Sequence, residues 1–582
     1  MRKPLSVLLL LSAAVAAAAQ AATLYPLDRA TILVGSPFDF KAEFDGVVAP
    51  GDVKVTVNGR PYQEVFGREA RFVAEEKGKD GQVLGSALIL RDLALPTAGD
   101  YKVEVQAGAQ RKAVTWQVYA TASQPRAKNV IFLLGDGLSV AHRTGARIMS
   151  KGMTEGKANG RLNMDGLERM AFIGTSSTSS IATDSANTMS AYMTGHKSAV
   201  NALGVYADRT PASLDDPKVE TLAEALRRQT RKAIGIVTTA ELQDATPAAV
   251  VSHTRRRADK AEITGMLYQV RPEVVLGGGS AYFLPQGTLG SKRKDDTDYV
   301  QRFRQDGYTL VTDKRELAAA AGSERLLGLF HTGNLDSTLD REQLKKGTVG
   351  KFPNQPGLVE MTRAALDALS RKPEGFFLMV EGANIDKMSH PLDWERALFD
   401  TIEFDQAVGV ARAFAASHPD TLVVVTGDHT HGVSIIGTID DDKPGTDMRE
   451  KVGVYADAGF PNYVDADGDG FPDRVDVSRR LAMFSNNGPD YYETFRPKLD
   501  GPFNPALQND KKEYVANEAY KDVPGAVLRT GIIPRDSDTG VHAVDDEVLQ
   551  SEGPGSEGFR GYLEQSDVYR VLADALALGV KQ

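Results

Sequence analysis

The sequence predicts an α/β protein in which a layered domain with a central, mainly parallel sheet follows a small N-terminal β-sandwich. Two contrasting patterns of hydrophobic residues support this prediction. Up to about residue 120, short runs of mostly alternating polarity are separated by Gly, Pro, Asp or Asn, which is typical of strands with one exposed face. From residue 129, continuous apolar runs alternate with helical segments, which is typical of parallel strands covered by helices on both faces.

The N-terminal segment 1–21 has the pattern of a secretory signal. Arg2 and Lys3 precede an apolar segment, and the segment ends in the small-residue pattern Ala-Gln-Ala. The apolar segment is short for a membrane-spanning helix, so an uncleaved anchor is the weaker alternative, and we find no later apolar run of about 20 residues. We therefore expect a periplasmic or secreted protein without membrane contact after removal of the signal.

Residues 22–121 are predicted to form an immunoglobulin-like β-sandwich. In the segment LPTAGDYKVEV, alternate residues from Tyr101 to Val105 share one apolar face, while Lys102 and Glu104 share the polar face. Tyr101 follows a Gly-Asp pair, as in the tyrosine corner of such domains. The segment TASQPRAK at 121–128 is predicted to link this domain to the next.

Composition excludes several classes of function. The chain has no Cys, which rules out disulfides, thiol catalysis and thiolate metal ligands. Its formal net charge is −10, and its densest cationic cluster is the short run RRR at 255–257. We therefore do not expect nucleic acid as a bound partner.

In the second domain, residues 127–582, four apolar runs are each followed by acidic or histidine side chains. These are Asp136, Glu241 with Asp244, Glu381 with Asp386, and Asp428 with His429. Because ligands bind at the carboxyl ends of strands in open α/β sheets, we expect these side chains to meet at one edge. Crowded carboxylates raise each other's pKa unless cations neutralise them, so the pattern predicts a metal cluster.

The types of side chain suggest which metals are held. Asp386 and His390 are four residues apart, so a helical turn would place both on one face, and this pair suits Zn²⁺. Asp428 and His429 offer a second pair of oxygen and nitrogen ligands. Three further residues offer only oxygen, which suits Mg²⁺: Asp136, Thr246 and Glu381.

Ser185 lies in the stretch IATDSANTMSAYMTGHKS and has two interpretations. A Ser at the start of a helix is commonly an N-cap, because its oxygen accepts a hydrogen bond from an unpaired backbone N–H. A Ser beside a metal cluster can instead be an activated nucleophile. The stretch by itself leaves both open.

Several of these segments closely resemble metal-dependent alkaline phosphatases, especially the enterobacterial type. The matching segments, in the same chain order, are FLLGDG, ATDSANTMSAYMTG, TTAELQDATPAAVVSHTRRR, VVLGGGSAYF, LLGLFHTGNLD, VEGANIDKMSH and VVVTGDHTHG. The resemblance covers roughly residues 127–436 and resumes at the C-terminal GVHAVDDEVLQSEGPGSEGFRG. It implies a phosphatase that acts on small-molecule phosphate monoesters through a phosphoserine on Ser185, and a homodimer.

The resemblance also implies a role for each matching residue. It assigns a first zinc to Asp386, His390 and His542, a second zinc to Asp136, Asp428 and His429 with Ser185, and a magnesium to Asp136, Thr246 and Glu381. Asp244 and Lys387 would lie near the magnesium and the phosphate, and His431 behind the metal ligands. Arg257 would bind the phosphate, and a shift of one residue would give this role to a neighbouring Arg of the RRR run.

Two alternatives of function stay open. One is a phosphodiesterase of the same superfamily, although Ser185 together with Arg257 favours monoesters. The other is a catalytically inert phosphatase domain that carries the β-sandwich as a binding module, which the complete set of expected residues disfavours.

An acidic segment lies within a less similar insert at about 437–535. Residues 465–476, DADGDGFPDRVD, have the spacing of an EF-hand-type Ca²⁺ loop with Gly at the sixth position. The predicted ligand positions are Asp465, Asp467, Asp469, Phe471, Asp473 and Asp476. The alternative is a solvated acidic turn without a bound ion.

Overall fold

The computed structural model describes residues 22–579, so the predicted signal segment 1–21 lies outside the described residues. Within the described part, no helix has both the length and the apolar character that a membrane crossing requires.

Nine short strands form the N-terminal domain. They are β1 (Thr23–Tyr25), β2 (Thr31–Leu33), β3 (Phe38–Asp45), β4 (Val53–Val57), β5 (Arg60–Pro61), β6 (Arg71–Lys77), β7 (Val83–Leu93), β8 (Gly99–Ala107) and β9 (Gln110–Tyr119), with the helix α1 (Tyr62–Phe66). One sheet has the order β1-β3-β7-β6 and the other has the order β2-β9-β8-β4-β5. Apolar side chains from both sheets share one core, which makes the domain a β-sandwich.

The predicted alternation along β8 is confirmed. Val103 and Val105 are buried, whereas Lys102 is exposed and Glu104 is partly exposed. The Tyr101 hydroxyl donates to the carbonyl oxygen of Thr97 at 3.0 Å, which is the backbone contact of a tyrosine corner.

The second domain is built from many further strands and helices. Its strands are β10 (Asn129–Gly135), β11 (Met153–Thr154), β12 (Lys157–Ala158), β13 (Arg169–Gly174), β14 (Ala233–Glu241), β15 (Val274–Gly278), β16 (Thr309–Val311), β17 (Leu326–Leu329), β18 (Phe376–Gly382), β19 (Thr421–Gly427), β20 (Thr430–His431), β21 (Val433–Asp440), β22 (Val452–Gly453), β23 (Arg479–Ser485), β24 (Tyr491–Glu493), β25 (Ala506–Gln508), β26 (Tyr514–Ala516), β27 (Val527–Arg529), β28 (His542–Ala543), β29 (Glu547–Glu552) and β30 (Gly561–Glu564). Its helices are α2 (Val140–Lys151), α3 (Ser185–Thr194), α4 (Leu222–Gln229), α5 (Ala245–Ala249), α6 (Lys260–Val270), α7 (Tyr299–Gln305), α8 (Lys314–Ala319), α9 (Leu358–Leu369), α10 (Asn384–Ser389), α11 (Trp394–Ser417) and α12 (Gln565–Ala575).

A ten-stranded sheet forms the centre of this domain, in the order β16-β17-β15-β14-β18-β10-β19-β29-β13-β30. Within residues 22–579, β29 alone runs against the other strands of this sheet. Alternate residues of β10 point into two different cores: Val130 and Phe132 pack with α3, α4 and α12, while Ile131 and Leu133 pack with α2, α9 and α11. The predicted sheet with helices on both faces is therefore confirmed.

The central strands end in register, which places their following residues side by side. Gly135 at the end of β10 pairs with Gly382 of β18 and with Gly427 of β19. Glu381 of β18 pairs with Thr238 of β14. Asp136, Glu381 and Asp428 consequently meet at one edge of the sheet, as the sequence predicted.

The sandwich core depends on Trp116 of β9. Its side chain is fully buried, its ring centroid lies 5.5 Å from that of Phe38 and 6.5 Å from that of Phe66, and its Nε1 donates to the Pro26 carbonyl oxygen at 3.0 Å.

We expect Trp116→Ala to lower the free energy of unfolding by about 3–5 kcal/mol, because a large cavity replaces the ring. Chemical denaturation measures this loss. Thr115→Ala, on the exposed side of the same strand, should change stability by less than about 0.5 kcal/mol, and an equally small loss for Trp116→Ala would contradict the expectation.

Candidate active site and metal centre

One group of possible metal ligands gathers around Asp386. Asp386, His429, His431 and His542 each offer a ligand atom within 4.8 Å of the others. The Oδ1 atom of Asp386 lies 2.7 Å from His431 Nε2, 3.2 Å from His390 Nε2 and 3.5 Å from His542 Nε2. Asp386 and His390 lie on one helical turn, since the His390 backbone N–H bonds the Asp386 carbonyl.

Backbone contacts fix the orientation of two of these imidazoles. His390 Nδ1 lies 2.7 Å from the Gly540 carbonyl oxygen, and His542 Nδ1 lies 2.9 Å from the Thr183 carbonyl oxygen. Because a carbonyl can only accept, each Nδ1 carries a proton and each Nε2 is the atom left to face the site. Histidines that ligate metals are typically held in this way.

A second group consists of Asp136, Asp428 and His429, all fully buried. His429 Nε2 lies 3.2 Å from Asp136 Oδ1 and 3.6 Å from Asp428 Oδ2. The Ser185 hydroxyl adjoins this group, with Oγ 3.2 Å from His429 Nε2 and 3.4 Å from Asp136 Oδ1.

The structure separates the two interpretations of Ser185. Asp184 is the N-cap of α3, and its carboxylate accepts from the Asn187 backbone N–H at 3.1 Å. Ser185 is the first residue of the helix, and its hydroxyl points to Asp136 and His429 rather than to a backbone donor. The helix N-terminus behind it also favours a bound anion.

An oxygen-rich set lies on the β14 side of Asp136. Glu381 is buried and accepts a hydrogen bond from the Thr238 hydroxyl. Thr246 follows β14 at the start of α5 and is also fully buried. Carboxylate and hydroxyl oxygens are the ligands that Mg²⁺ prefers.

Burial and mutual repulsion raise the pKa values of two of these carboxyl groups, whereas a neighbouring imidazole lowers that of a third. Burial raises the pKa of Glu381 well above its ordinary value, and the charge of Asp136 adds to the shift. The pKa of Asp428 rises for the same two reasons. Burial acts in the same sense on Asp386, but the neighbouring His390 holds its pKa well below the ordinary value.

Two cationic side chains, Lys387 and Arg257, pair with carboxylates of the site. Lys387 Nζ lies 3.1 Å from Asp386 Oδ2, 3.2 Å from Asp244 Oδ2 and 3.6 Å from Asp136 Oδ2. The two terminal nitrogens of Arg257 donate to different carboxylates, one to Asp184 Oδ2 at 3.2 Å and the other to Asp244 Oδ1 at 2.9 Å. Burial would raise the pKa of Asp244, but Lys387 and Arg257 hold it far below its ordinary value.

Only one of the three arginines in the RRR run faces Ser185. Arg255 points away and donates to the carbonyl oxygen of Asp208 at 2.8 Å. Arg256 is largely exposed and lies 3.6 Å from Asp259 Oδ1. Arg257 contacts Asp184, the residue before Ser185, and its role in phosphate binding stays a prediction.

The donors present fit bound metal ions. The buried atoms Asp428 Oδ2 and Thr246 Oγ1 have no hydrogen-bond partner in the described part of the chain, although buried polar atoms are normally paired. Coordination of a cation would satisfy both atoms. The mixed nitrogen and oxygen donors suit Zn²⁺, and the oxygen set around Glu381 suits Mg²⁺.

Sequence reasoning missed two residues next to these donors. Thr238 bonds Glu381, but a Thr inside an apolar strand carries no signal of this contact. Glu547 is fully buried, and burial together with the charge of Asp428 raises its pKa well above the ordinary value. In the sequence it lies in DDEV, which resembles an exposed acidic turn.

The acidic loop 465–476 brings some of its predicted ligands together. Asp465, Asp467 and Asp473 each offer a carboxylate oxygen within 4.8 Å of the others. Gly470 at the sixth position has a φ of +92°, which suits the sharp turn of such a loop. Asp476 lies outside this group and instead accepts from Arg474 Nε at 2.9 Å and from a terminal nitrogen at 2.8 Å.

The other two predicted positions of the loop serve contacts within the fold. The Asp469 carboxylate accepts from the Phe471 backbone N–H at 2.7 Å. The Phe471 ring stacks on Phe399 of α11 with centroids 5.3 Å apart. The loop therefore packs against α11, the long helix that follows α10.

Comparison with known proteins identifies the family to which the second domain belongs. The family model described as alkaline phosphatase matches residues 127–578. An alkaline phosphatase from Gadus morhua is 29% identical over 495 residues, covering 79% of this chain and 94% of the relative. The tissue-nonspecific isozyme of alkaline phosphatase from Gallus gallus is 34% identical over 501 residues, covering 78% and 86%.

Among solved structures, the alkaline phosphatase of Thermus thermophilus is similar with a TM-score of 0.55 and 22% identity, covering 79% of this chain and 93% of that chain. This likeness shows the fold. The family model and the relative from Gallus gallus establish that the chain belongs to the alkaline phosphatase family, the metal-dependent phosphomonoesterases.

The buried carboxyl of Glu381 should make the metal-free protein sensitive to alkaline pH. The unfolded chain loses this proton near the ordinary pKa of 4.5, whereas the folded metal-free protein retains it to much higher pH. The unfolded state then binds fewer protons, so the free energy of unfolding falls as pH rises above that value. Glu381→Gln removes this contribution and should make the metal-free protein more stable at about pH 8.

Denaturation of chelator-treated protein between about pH 5 and about pH 8 measures this effect. Glu168→Gln, at an exposed position, is the matched control and should keep the wild-type slope. An identical slope for Glu381→Gln and the wild type would contradict the expectation.

Calcium binding to the loop 465–476 stays a prediction that calorimetry can test. We expect metal-stripped protein to take up Ca²⁺ at a site that Asp465→Asn abolishes. Asp476→Asn should leave binding nearly unchanged, because that carboxylate contacts Arg474. If Asp465→Asn takes up as much Ca²⁺ as the wild type, the loop is a solvated acidic turn.

Proposed function

We propose that this enzyme hydrolyses phosphate monoesters through a phosphoserine on Ser185, with two Zn²⁺ and one Mg²⁺, in the periplasm or outside the cell. The position of the Ser185 hydroxyl carries the proposal, since it lies at the start of α3 within 3.4 Å of both His429 and Asp136. The N-terminal pattern supports export, and the family resemblance supports a homodimer.

The proposed ligand sets are those that the family resemblance implies. Asp386, His390 and His542 would hold the first zinc, Asp136, Asp428 and His429 the second, and Asp136, Thr246 and Glu381 the magnesium. When bound, these ions would lower the pKa of the Ser185 hydroxyl and of the attacking water and offset the charge of the leaving oxygen. His431 accordingly orients Asp386 through its 2.7 Å contact.

Arg257 would bind two non-bridging phosphate oxygens with its planar fork. Its contacts with Asp184 and Asp244 hold the guanidinium beside Ser185 before substrate arrives. Lys387 adds a second positive charge near Asp244. Two cations favour a dianionic monoester over a diester, whose second organic group would occupy one of these contacts.

The reaction then takes two displacements at phosphorus. The Ser185 oxygen attacks, the bond to the substrate alcohol breaks, and the alcohol leaves with a proton. Water attacks the phosphoserine from the vacated side, inorganic phosphate leaves, and the Ser185 hydroxyl is restored. Arg257 holds the transferring group in both displacements.

Hydrolysis of nitrophenyl phosphate and of the matching diester at alkaline pH tests the proposal. We expect turnover of the monoester to fall by about 10³-fold or more in Ser185→Ala and to be lost after chelation. Ser180→Ala, at an exposed position five residues before Ser185, should retain wild-type turnover.

Mass spectrometry of acid-quenched protein should find phosphate on the peptide that contains Ser185. Full turnover by Ser185→Ala would exclude the covalent step. A preference for the diester would support the phosphodiesterase alternative, and complete inactivity of the metal-loaded wild type would support the inert domain.

A further inference from the structure

We propose that the N-terminal sandwich positions the phosphate-binding Arg257, and that it acts through Asp208 and Arg255. In this view the sandwich is part of the phosphatase rather than a separate binding module. The inference rests on the proposed role of Arg257 in binding phosphate. Residues 204–220 of the second domain, here named the bracing segment, connect the sandwich to Arg255.

A buried charge network joins the sandwich to the bracing segment. Lys41 Nζ on β3 lies 2.6 Å from Asp208 Oδ2, and both side chains are at most 2% exposed. Lys41 also pairs with Glu43 at 3.0 Å and with Glu76 at 2.6 Å. A second pair places the cation on the bracing segment, where Arg209 Nε lies 2.7 Å from Glu76 Oε2 of the sandwich. Charges this deeply buried are stable only when they remain paired, so the two domains must stay docked.

Backbone hydrogen bonds extend this attachment. Phe38 of β3 forms an antiparallel bridge with Val219. The Asp39 backbone N–H donates to the Lys218 carbonyl oxygen at 2.8 Å, and the Lys218 N–H donates to Asp39 Oδ2 at 2.9 Å. The bracing segment is thus paired with the first residues of β3, which fixes its position relative to the sandwich.

The opposite side of the bracing segment holds Arg255. This guanidinium donates to the Asp208 carbonyl oxygen at 2.8 Å, and its Nε lies 3.1 Å from Asp216 Oδ2. A terminal nitrogen lies 3.5 Å from Asp208 Oδ1, the carboxylate that Lys41 contacts through Oδ2. The Arg255 backbone N–H also donates to the Ser213 carbonyl oxygen at 3.2 Å. Asp208 therefore lies between a cation of the sandwich and a cation two residues from Arg257.

The backbone around Arg257 is held from both sides. Arg255 fixes the chain on one side, and on the other the Arg257 backbone N–H donates to the Asn201 carbonyl oxygen at 3.0 Å. Asn201 in turn donates its N–H to Asp184 Oδ1 at 3.2 Å, next to Ser185. Two residues of chain span only about 7 Å, so release of Arg255 would let the Arg257 guanidinium move relative to Ser185. A misplacement of about 1 Å can cost up to 10²-fold in rate.

Arg256 provides a control within the same run of arginines. Its side chain is 63% exposed, and its ion pair with Asp259 lies at 3.6 Å. It contacts neither the bracing segment nor the residues around Ser185 through any hydrogen bond or ion pair in the described structure. Removal of its charge should leave phosphate binding unchanged.

A double-mutant cycle on the metal-loaded enzyme tests the inference, with inhibition by inorganic phosphate as the measurement. We expect Arg255→Met to raise both Ki for phosphate and KM by about tenfold, with a smaller change in kcat. Arg257→Ala should raise Ki by itself, and adding Arg255→Met to it should then have no further effect. Arg256→Met should keep the wild-type Ki.

A second comparison tests the contribution of the sandwich. Lys41→Met should raise Ki for phosphate, whereas Val103→Ala, in the sandwich core, should lower stability and leave Ki unchanged. Should Lys41→Met fail to fold, Arg91→Met takes its place, because the Arg91 side chain is 36% exposed and donates to the Asp216 carbonyl oxygen at 3.1 Å.

The outcomes separate the inference from the proposed function. An unchanged Ki in Arg257→Ala would refute the phosphate-binding role of Arg257 itself. An unchanged Ki in Arg255→Met, or an equal effect of Arg255→Met with and without Arg257, would overturn the inference alone. Equal Ki increases in Val103→Ala and the sandwich variant would show that stability, not positioning, links the domains.

Discussion

The crowding of buried carboxylates at one edge of the central sheet determines the rest of the site. Asp136, Glu381, Asp386 and Asp428 are each at most 1% exposed. Their negative charges cannot remain together without compensation, and the raised pKa values of Glu381 and Asp428 express this conflict. The Nε2 atoms of the oriented histidines and the unpartnered oxygen of Asp428 belong to the same crowded site. A cluster of bound cations would offset the repulsion and would supply a partner for these donors.

The parallel sheet makes this crowding possible because its strands end together. Glycines terminate β10, β18 and β19 in register. Gly137 shows how closely the following turns pack, since a side chain there would meet the His431 ring at 2.8 Å and its φ is +70°. Gly427 has a similar role, because an added Cβ would lie 2.6 Å from the carboxylate of Glu547. Small residues at strand ends thus allow charged side chains to approach from several strands.

Sequence predicted the parts of this architecture that local pattern controls. Continuous apolar runs identified the central strands, and the acids that follow them identified the edge, because both depend on neighbouring residues. The interval between Asp386 and His390 likewise follows from one helical turn. The pairing of Lys41 with Asp208 joins residues 167 positions apart, and no local pattern encodes it. A local pattern can also mislead. The spacing of the loop predicted Asp476 as a calcium ligand, but its carboxylate accepts a hydrogen bond from the neighbouring Arg474.

The chain treats buried charge in two different ways, and the difference distinguishes a structural network from a metal site. Between the sandwich and the bracing segment, Lys41 and Arg255 lie within ion-pair distance of Asp208, so protein cations neutralise the buried acid. At the sheet edge, Lys387 and Arg257 pair with Asp386 and Asp244, and among residues 22–579 no Lys or Arg lies within ion-pair distance of Asp428, whose Oδ2 instead lies 3.6 Å from His429 Nε2. Asp428 therefore faces a histidine nitrogen, where a structural network would place a Lys or Arg side chain. Such an arrangement would be unstable as a purely structural network, so the geometry itself favours bound metal at this edge and a bracing role for the other network.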